Sequence, residues 1–178
     1  MASTTFEGPV TSNQGFVNLL YGGATDAELN RAADASARIV TTTATALAVT
    51  VTQHASRVIV VNTNSTVANT LTLPAATGSG ERFEIINGIA QTQGSIVIAA
   101  AGTDVMKGRA LAFDSTAVAT HASFFVTSAS SDKVSWNRTT TGGIGQDSLV
   151  AFDEAAGVWR VQVVNNCSGT PATPFSET

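Results

Sequence analysis

Short stretches in which apolar and small polar residues alternate, broken by turn-forming residues about every 8–12 positions, limit what this chain can fold into. Successive side chains of a strand point to opposite faces, so a period of two marks a strand with one face buried. Leu47, Val49 and Val51 alternate with Ala48, Thr50 and Thr52. Leu71 and Leu73 alternate with Thr70 and Thr72 and stop at Pro74. After Leu149 to Phe152, Trp159, Val161 and Val163 alternate with Arg160 and Gln162. Phe83, Ile85, Ile96, Ile98, Leu111, Phe113, Phe124 and Val126 mark further short strands, and the unbroken apolar run Val58 to Val61 reads as a central one. The separators are turn-type residues: Asn62 to Ser65, Ala75 to Gly80, Asn87-Gly88, Ser130 to Asp132, Gly142-Gly143 and Ala155 to Gly157. No helical segment intervenes to carry a parallel crossover. The expected fold is therefore all-β, an antiparallel β-sandwich or barrel over residues 41–168.

Composition agrees with that class. Charged residues make up 12% of the chain, against roughly 25% in an ordinary soluble domain. Much of the 43% hydrophobic share is Ala and Val, with aromatics at 6%. The β-branched Val and Thr suit a pleated, half-buried surface. A chain of 178 residues suits one domain plus an arm, and is long enough to fold without a disulfide or metal. The net charge is −4 and the nine Lys and Arg residues are scattered singly in the sequence. A phosphate-binding face needs clustered cations, so no nucleic-acid partner is expected. The longest apolar stretch, around Ile96 to Ala101, is far short of the ~20 residues of a membrane helix, and no membrane partner is expected. The single Cys167 has no intrachain partner. The opening residues lack the basic and apolar regions of a secretory leader, so the chain is expected to be made and kept soluble without export through a leader of its own.

Ahead of the strands, residues 1–22 mix Thr, Ser, Gly and Pro with isolated apolar residues. They read as an extended arm, and Phe6, Val10, Phe16, Val17 and Leu19 are candidate contacts to a neighbouring subunit. A first strand packed on its own domain is an equally open reading. Residues 23–40 hold a short helix and a linker. Thr25-Asp26-Ala27-Glu28 matches a capping box, and Leu29, Ala32, Ala33 and Ala37 give a thin apolar stripe, placing the helix at about 26–38. Residues 169–178 form a C-terminal tail, where Pro174 and Phe175 are further candidate contacts.

Catalytic and metal chemistry find little support. His54 and His121 are far apart and no zinc-ligand spacing occurs. Asp104, Asp114, Asp132 and Asp147 sit in no calcium-loop pattern. No nucleophile elbow is present. Glu81 and Glu84, three apart on one strand, point to opposite faces and make no pair of the kind a glycosidase uses. Trp159 is expected in the core because it is in phase with Val161 and Val163. Trp136 is open to either a core or a sugar-stacking role. Gly142-Gly143-Ile144-Gly145 does not fit a dinucleotide fingerprint and reads as a loop. The Asn-x-Ser/Thr triplets at Asn64, Asn137 and Asn166 carry almost no weight. No cofactor and no catalytic residue is expected.

At Thr70-Leu71-Thr72-Leu73-Pro74-Ala75-Ala76-Thr77-Gly78-Ser79-Gly80, followed by Arg82-Phe83-Glu84-Ile85-Ile86, the chain resembles small virion proteins of tailed bacteriophages. Further points of resemblance are Thr5-Phe6-Glu7-Gly8-Pro9-Val10, Asn13-Gln14-Gly15-Phe16, Thr103-Asp104-Val105-Met106-Lys107-Gly108, Thr139-Thr140-Thr141-Gly142-Gly143, Gly157-Val158-Trp159 and Gly169-Thr170-Pro171-Ala172-Thr173-Pro174-Phe175-Ser176. They run in order along the chain, and Val40 to Asn69 matches least. The resemblance implies a structural virion protein of the head decoration or cement type, sitting on the head exterior. Its implied partners are the major capsid protein and copies of itself in a homotrimer. A tail fibre or spike receptor-binding module is the alternative expectation, and a glycan-processing hydrolase ranks behind both.

Overall fold

The computed structural model describes residues 38–116 and 122–177. The helix expected at about 26–38, all but its last residue, and the arm residues Phe6, Val10, Phe16, Val17 and Leu19 lie outside them. Among the described residues, 50% are in strands and 3% in helix, so the fold is all-β. The strands are β1 (Ile39–Thr42), β2 (Ala46–Ala48), β3 (Val58–Val61), β4 (Asn69–Thr72), β5 (Arg82–Asn87), β6 (Ile96–Ala99), β7 (Val105–Asp114), β8 (Ala122–Val126), β9 (Lys133–Trp136), β10 (Ser148–Ala155), β11 (Val158–Cys167) and β12 (Phe175–Ser176). One helical turn, α1 (Val51–His54), follows β2. The alternation expected to continue as a strand through Val51 ends there: Val49 is buried beside the sheet, and the chain turns helical at Val51.

Two mixed sheets form, where an antiparallel sandwich or barrel was expected. One has seven strands in the order β1-β3-β5-β10-β11-β7-β8, the other five in the order β12-β9-β6-β4-β2. Strands β1, β3 and β5 pair in parallel in the first sheet. Strands β2, β4 and β6 pair in parallel in the second. Each of the first six strands thus lies in the sheet opposite to the one before it, and the chain winds as a coil. The turn residues between them are corners between sheets, not hairpin loops. A parallel pair needs a crossover of about a dozen residues, usually helical; here a strand of the opposite sheet supplies it. The absence of helices therefore did not exclude parallel pairing.

The second half closes the coil with antiparallel strands. Strand β10 inserts between β5 and β11 and is antiparallel to both. Strand β9 returns along β6, and β12 along β9. A long parallel ladder joins β11 to β7 from Val158↔Val105 to Cys167↔Asp114. One core lies between the sheets. Ile59, Phe83, Ile85, Met106, Leu149, Trp159 and Val161 enter it from the seven-stranded sheet, and Leu71, Ile96, Ile98, Val134 and Trp136 from the five-stranded sheet, all at 2% exposure or less. Trp159 meets Phe83 edge-on, with ring centroids 5.6 Å apart.

Coil packs on coil at one corner through buried amides. Asn69 Nδ2 donates to Gln91 Oε1 (3.4 Å), and Gln91 Nε2 donates to the Thr63 carbonyl (2.7 Å). Gln91 thereby satisfies a carbonyl of the backbone that has left β3 and not yet joined β4.

The β7–β11 ladder also sets a glycine. A Cβ on Gly108 would run into the backbone carbonyl of Val161 on β11, and neighbouring backbone cannot rotate away as a side chain does. Gly108→Ala is expected to cost about 2–4 kcal/mol and to lower the thermal midpoint by roughly 5–15 °C, read by circular dichroism. Gly102→Ala, where a Cβ meets nothing within 4 Å, is expected to cost no more than its left-handed φ of 57° demands, about 1 kcal/mol. Equal losses at both sites would show that the ladder contact is not what fixes Gly108.

Candidate interaction surface

The outward face of the seven-stranded sheet follows from strand register. Thr41 lies beside Val60, Val60 beside Ile86, and Ile86 beside Ser148. The same line continues through Val164 and Leu111 to Phe124. These residues alternate with the core positions of their strands, so they share the face turned from the core. Five of the seven are apolar. In the adjacent line, Ile39, Val58, Val150 and Val126 are apolar and Glu84, Gln162 and Arg109 are not. Phe124 is 78% exposed, Val126 76% and Ile39 66%, with Phe152, Val164 and Phe113 at 36–42%.

Phe113, Phe124, Val126 and Val164 lie on the adjacent strands β11, β7 and β8, whereas Ile39 is at the opposite edge on β1 and Phe152 stands between Arg82 and Arg160. On the outward face of the five-stranded sheet, Thr70, Thr72, Lys133 and Ser135 stand among Ala46, Ala48, Val97 and Ala99. Among strand residues, the large exposed hydrophobics thus belong to the seven-stranded sheet.

The chemical candidates are placed inside the fold or at separate sites. Trp136 is fully buried and its indole N–H donates to Asn165 Oδ1 (2.8 Å), so it is a core residue and stacks on no sugar. His54 is buried, with its Nδ1 3.0 Å from the Thr50 N–H and 3.3 Å from the Thr50 carbonyl; burial pulls its pKa down, against a hydrogen bond from the protonated ring to that carbonyl. His121 lies outside the described residues. Cys167 is buried with its thiol on the Thr140 carbonyl (3.2 Å), and burial raises its pKa away from thiolate formation. Glu84 stands on the outer face, paired with Arg82 at 3.1 Å. Among the described residues, no three His, Cys, Asp or Glu side chains gather as metal ligands would. Pro174 and Phe175 are buried, and Phe175 pairs with Val134 as part of β12. These two belong to the core of their own chain and are not held out on a free tail.

Several aspartates instead bind loop backbone. Asp104 Oδ2 accepts the Ala76 N–H (2.7 Å), and Asp114 Oδ1 accepts those of Thr116 (2.9 Å) and Gly169 (3.3 Å). Asp147, fully buried, accepts from Asn87 Nδ2 (3.0 Å), the Gly143 N–H (2.9 Å), the Gly145 N–H (3.3 Å) and the Asn166 N–H (2.9 Å). The glycine-rich segment at 142–145 is thus a wrap around a buried carboxylate. Burial raises the pKa of Asp147, with these bonds opposing it.

Asp153 holds the Thr77-Gly78-Ser79 turn through three N–H groups and two hydroxyls at 2.7–3.1 Å. Burial pushes its pKa up, but the hydrogen bonds from Ser79, Gly78 and Thr77 together outweigh burial and hold it at about 2.

The sign for Asp153 follows from linkage. A carboxylate whose folded pKa lies below its unfolded value of 3.8 stabilises the fold fully above that value, and loses the contribution as pH falls through about 2. The depression corresponds to about 2 kcal/mol. Asp153→Asn is therefore expected to lower stability by about 2 kcal/mol at pH 6, with the gap to wild type closing between pH 4 and pH 2. Urea unfolding across that range measures it, and a gap that stays constant with pH would show that the carboxylate charge is not the source. No family model, no curated protein and no solved structure matches the chain.

Proposed function

We propose that the chain is a structural protein of a tailed-bacteriophage virion, and that it binds the outer surface of the capsid as a decoration or cement protein. In this reading it acts as a homotrimer, bridges neighbouring major capsid protein subunits and stabilises their lattice. The observation that carries the reading is the uncovered apolar face of the seven-stranded sheet, ending in Phe124 and Val126 on the edge strand β8. The apolar line from Val60 and Ile86 through Val164 and Leu111 to Phe124 meets a partner at low desolvation cost, because the charges of this face, Arg82, Glu84, Lys107, Arg109 and Arg160, stand in the lines beside it. Repetition over symmetry-related sites then turns modest single contacts into firm attachment. The sequence resemblance supplies the virion context, and one of its segments, Thr70 to Gly80, is the strand and turn that close on Asp153.

A tail fibre or spike attachment module is the second reading, and the parallel coil favours it. Coils of this kind stack as repeats and build elongated structures, and β1 stands at an open edge of the seven-stranded sheet.

Copy number and place separate the two readings. Cryo-electron microscopy of the virion is expected to show this chain in hundreds of copies over the head, bridging capsomers. A few copies at the tail would transfer the assignment to attachment. Phe124→Ser with Val126→Ser tests the face itself. Both side chains are exposed, so the thermal midpoint is expected to stay within about 2–4 °C of wild type, while occupancy on heads lacking the protein falls at least tenfold. Full occupancy by the double variant would remove the outer face from the capsid contact.

A further inference from the structure

Each sheet ends in two edge strands, and the four edges are not alike. The five-stranded sheet ends in β12 and β2, of two and three residues, and the seven-stranded sheet in β1 and β8, of four and five. An edge strand offers a row of unpaired N–H and C=O groups to any strand that can approach, and folded proteins blunt such edges by shortness, charge, proline or a bulge. Strand β8, Ala122-Ser123-Phe124-Phe125-Val126, is the longest of the four and contains no charged residue and no proline. Its register against β7 runs unbroken from Arg109↔Val126 to Phe113↔Ala122, so it has no bulge either. Among the described residues, β7 is its sole strand partner.

Hydrogen-bond phase identifies the groups on the open side. In an antiparallel pair, residues whose N–H and C=O face the partner strand alternate with residues whose groups face away. Just past β8, the Thr127 N–H donates to the Gly108 carbonyl of β7 (3.1 Å). The backbone groups of Thr127 therefore face β7, and so do those of Phe125 and Ser123. Those of Ala122, Phe124 and Val126 face the open side.

This edge is complementary to itself. Set antiparallel to its own copy with Phe124 opposite Phe124, β8 places Ala122 opposite Val126 and Ser123 opposite Phe125. Small side chains then face large ones, and the two Phe124 rings form a cross-strand aromatic pair, a favourable one. The open backbone groups of Ala122, Phe124 and Val126 meet those of Val126, Phe124 and Ala122 in the copy, closing about six hydrogen bonds. Neither strand carries a charge, so the two edges meet without like-charge repulsion. Across the junction the apolar line Val164, Leu111, Phe124 runs on into the same line of the second copy. Five residues a side fall below the roughly 20–30 of a standard interface, so the contact is weak singly and gains from repetition.

We propose that β8 pairs with β8 of a second copy, antiparallel about a two-fold axis at Phe124, and joins two seven-stranded sheets edge to edge. A contact of this kind closes after two copies, so it links neighbouring assemblies and is not the contact that builds a homotrimer. The outward side chains of β8 also belong to the face proposed to meet the capsid; the pairing is made by backbone and does not rest on that assignment. Phe124→Cys in the full chain tests the axis. A hydrogen-bonded antiparallel pair holds its Cα atoms about 5.5 Å apart, within reach of a disulfide. Oxidation is expected to give a covalent dimer of Phe124→Cys on a denaturing gel, and none of Gln162→Cys, exposed in mid-sheet on β11. The native Cys167 is buried and is alkylated on unfolding.

Ala122→Pro tests the edge with Phe124 and Val126 left in place. It removes one open N–H at the first residue of a strand, a position where proline is tolerated. Sedimentation over a concentration series is expected to show the average mass of the wild type rising at least twofold, with Ala122→Pro held at the lowest wild-type value. No dimer of Phe124→Cys beyond the Gln162→Cys control overturns the pairing, as does an equal rise in mass for wild type and Ala122→Pro. Head-to-tail pairing of β8 with β1 brings no two copies of Phe124 together and falls under the first of these results. Should Ala122→Pro fail to fold, Phe124→Glu, at an exposed side chain, sets two like charges at the axis and decides the matter. Neither measurement involves heads: a chain that pairs but leaves heads bare fails the capsid reading alone, and one that binds heads unpaired fails this one alone.

Discussion

Strand β10 is the element on which the rest of the structure depends. It lies fourth of seven in its sheet, antiparallel to β5 on one side and β11 on the other. On one flank stands the parallel coil of β1, β3 and β5; on the other, the parallel β11–β7 ladder. Both flanks run in the same direction, so β10 is the strand that joins two parallel blocks into one sheet. Antiparallel pairing gives it perpendicular hydrogen bonds to both neighbours. A buried carboxylate stands towards each end: Asp147 just before its first residue and Asp153 near its last. Asp147 gathers the end of β5, the 143–145 loop and β11, while Asp153 gathers the turn that leads from β4 towards β5.

The two carboxylates solve the same problem under different conditions. A chain that crosses between sheets at every corner leaves backbone N–H groups without a strand partner, and each must be satisfied if buried. A carboxylate accepts several such bonds at once. At Asp153 the three amides and two hydroxyls offset the cost of burial, and the charge is favoured. At Asp147 burial prevails and the pKa rises, although four donors surround the group. The low acidic content of the chain thus conceals a use for it: aspartates that showed no calcium or catalytic pattern in the sequence are bound to loop amides.

Strand positions were legible because period-two alternation survives in any sheet. The phase of Trp159, Val161 and Val163, and that of Leu71 and Leu73, identified inward faces correctly, since Arg160 and Gln162 on one strand and Thr70 and Thr72 on the other mark the opposite side. Pairing direction was not legible. A hairpin turn and a corner between sheets draw on the same Gly, Asn, Ser and Asp residues, and local sequence does not say which sheet the next strand joins. Strand β9 alternates Lys133 and Ser135 with Val134 and Trp136 over only four residues, and β12 is only two residues long, so both were too short to stand out.

Phe124 and Val126 show why the candidate surface escaped the same reading. Their alternation marks β8 as a strand, but on β8 the large exposed residues face outward and Phe125 packs towards the core. Alternation gives two faces and does not label them; when both carry apolar residues, burial is decided by what the neighbouring strands present. Val164 beside Leu111, and Leu111 beside Phe124, extend the apolar line across strands distant in sequence. A groove lined in part by three arginines at one end of the seven-stranded sheet has the same origin. Arg38, Arg57 and Arg82 are dispersed in sequence and become neighbours only because successive coils return to the same end of the sheet. In a coiled architecture, composition and local pattern describe each pass, whereas surface chemistry arises from positions one circuit apart.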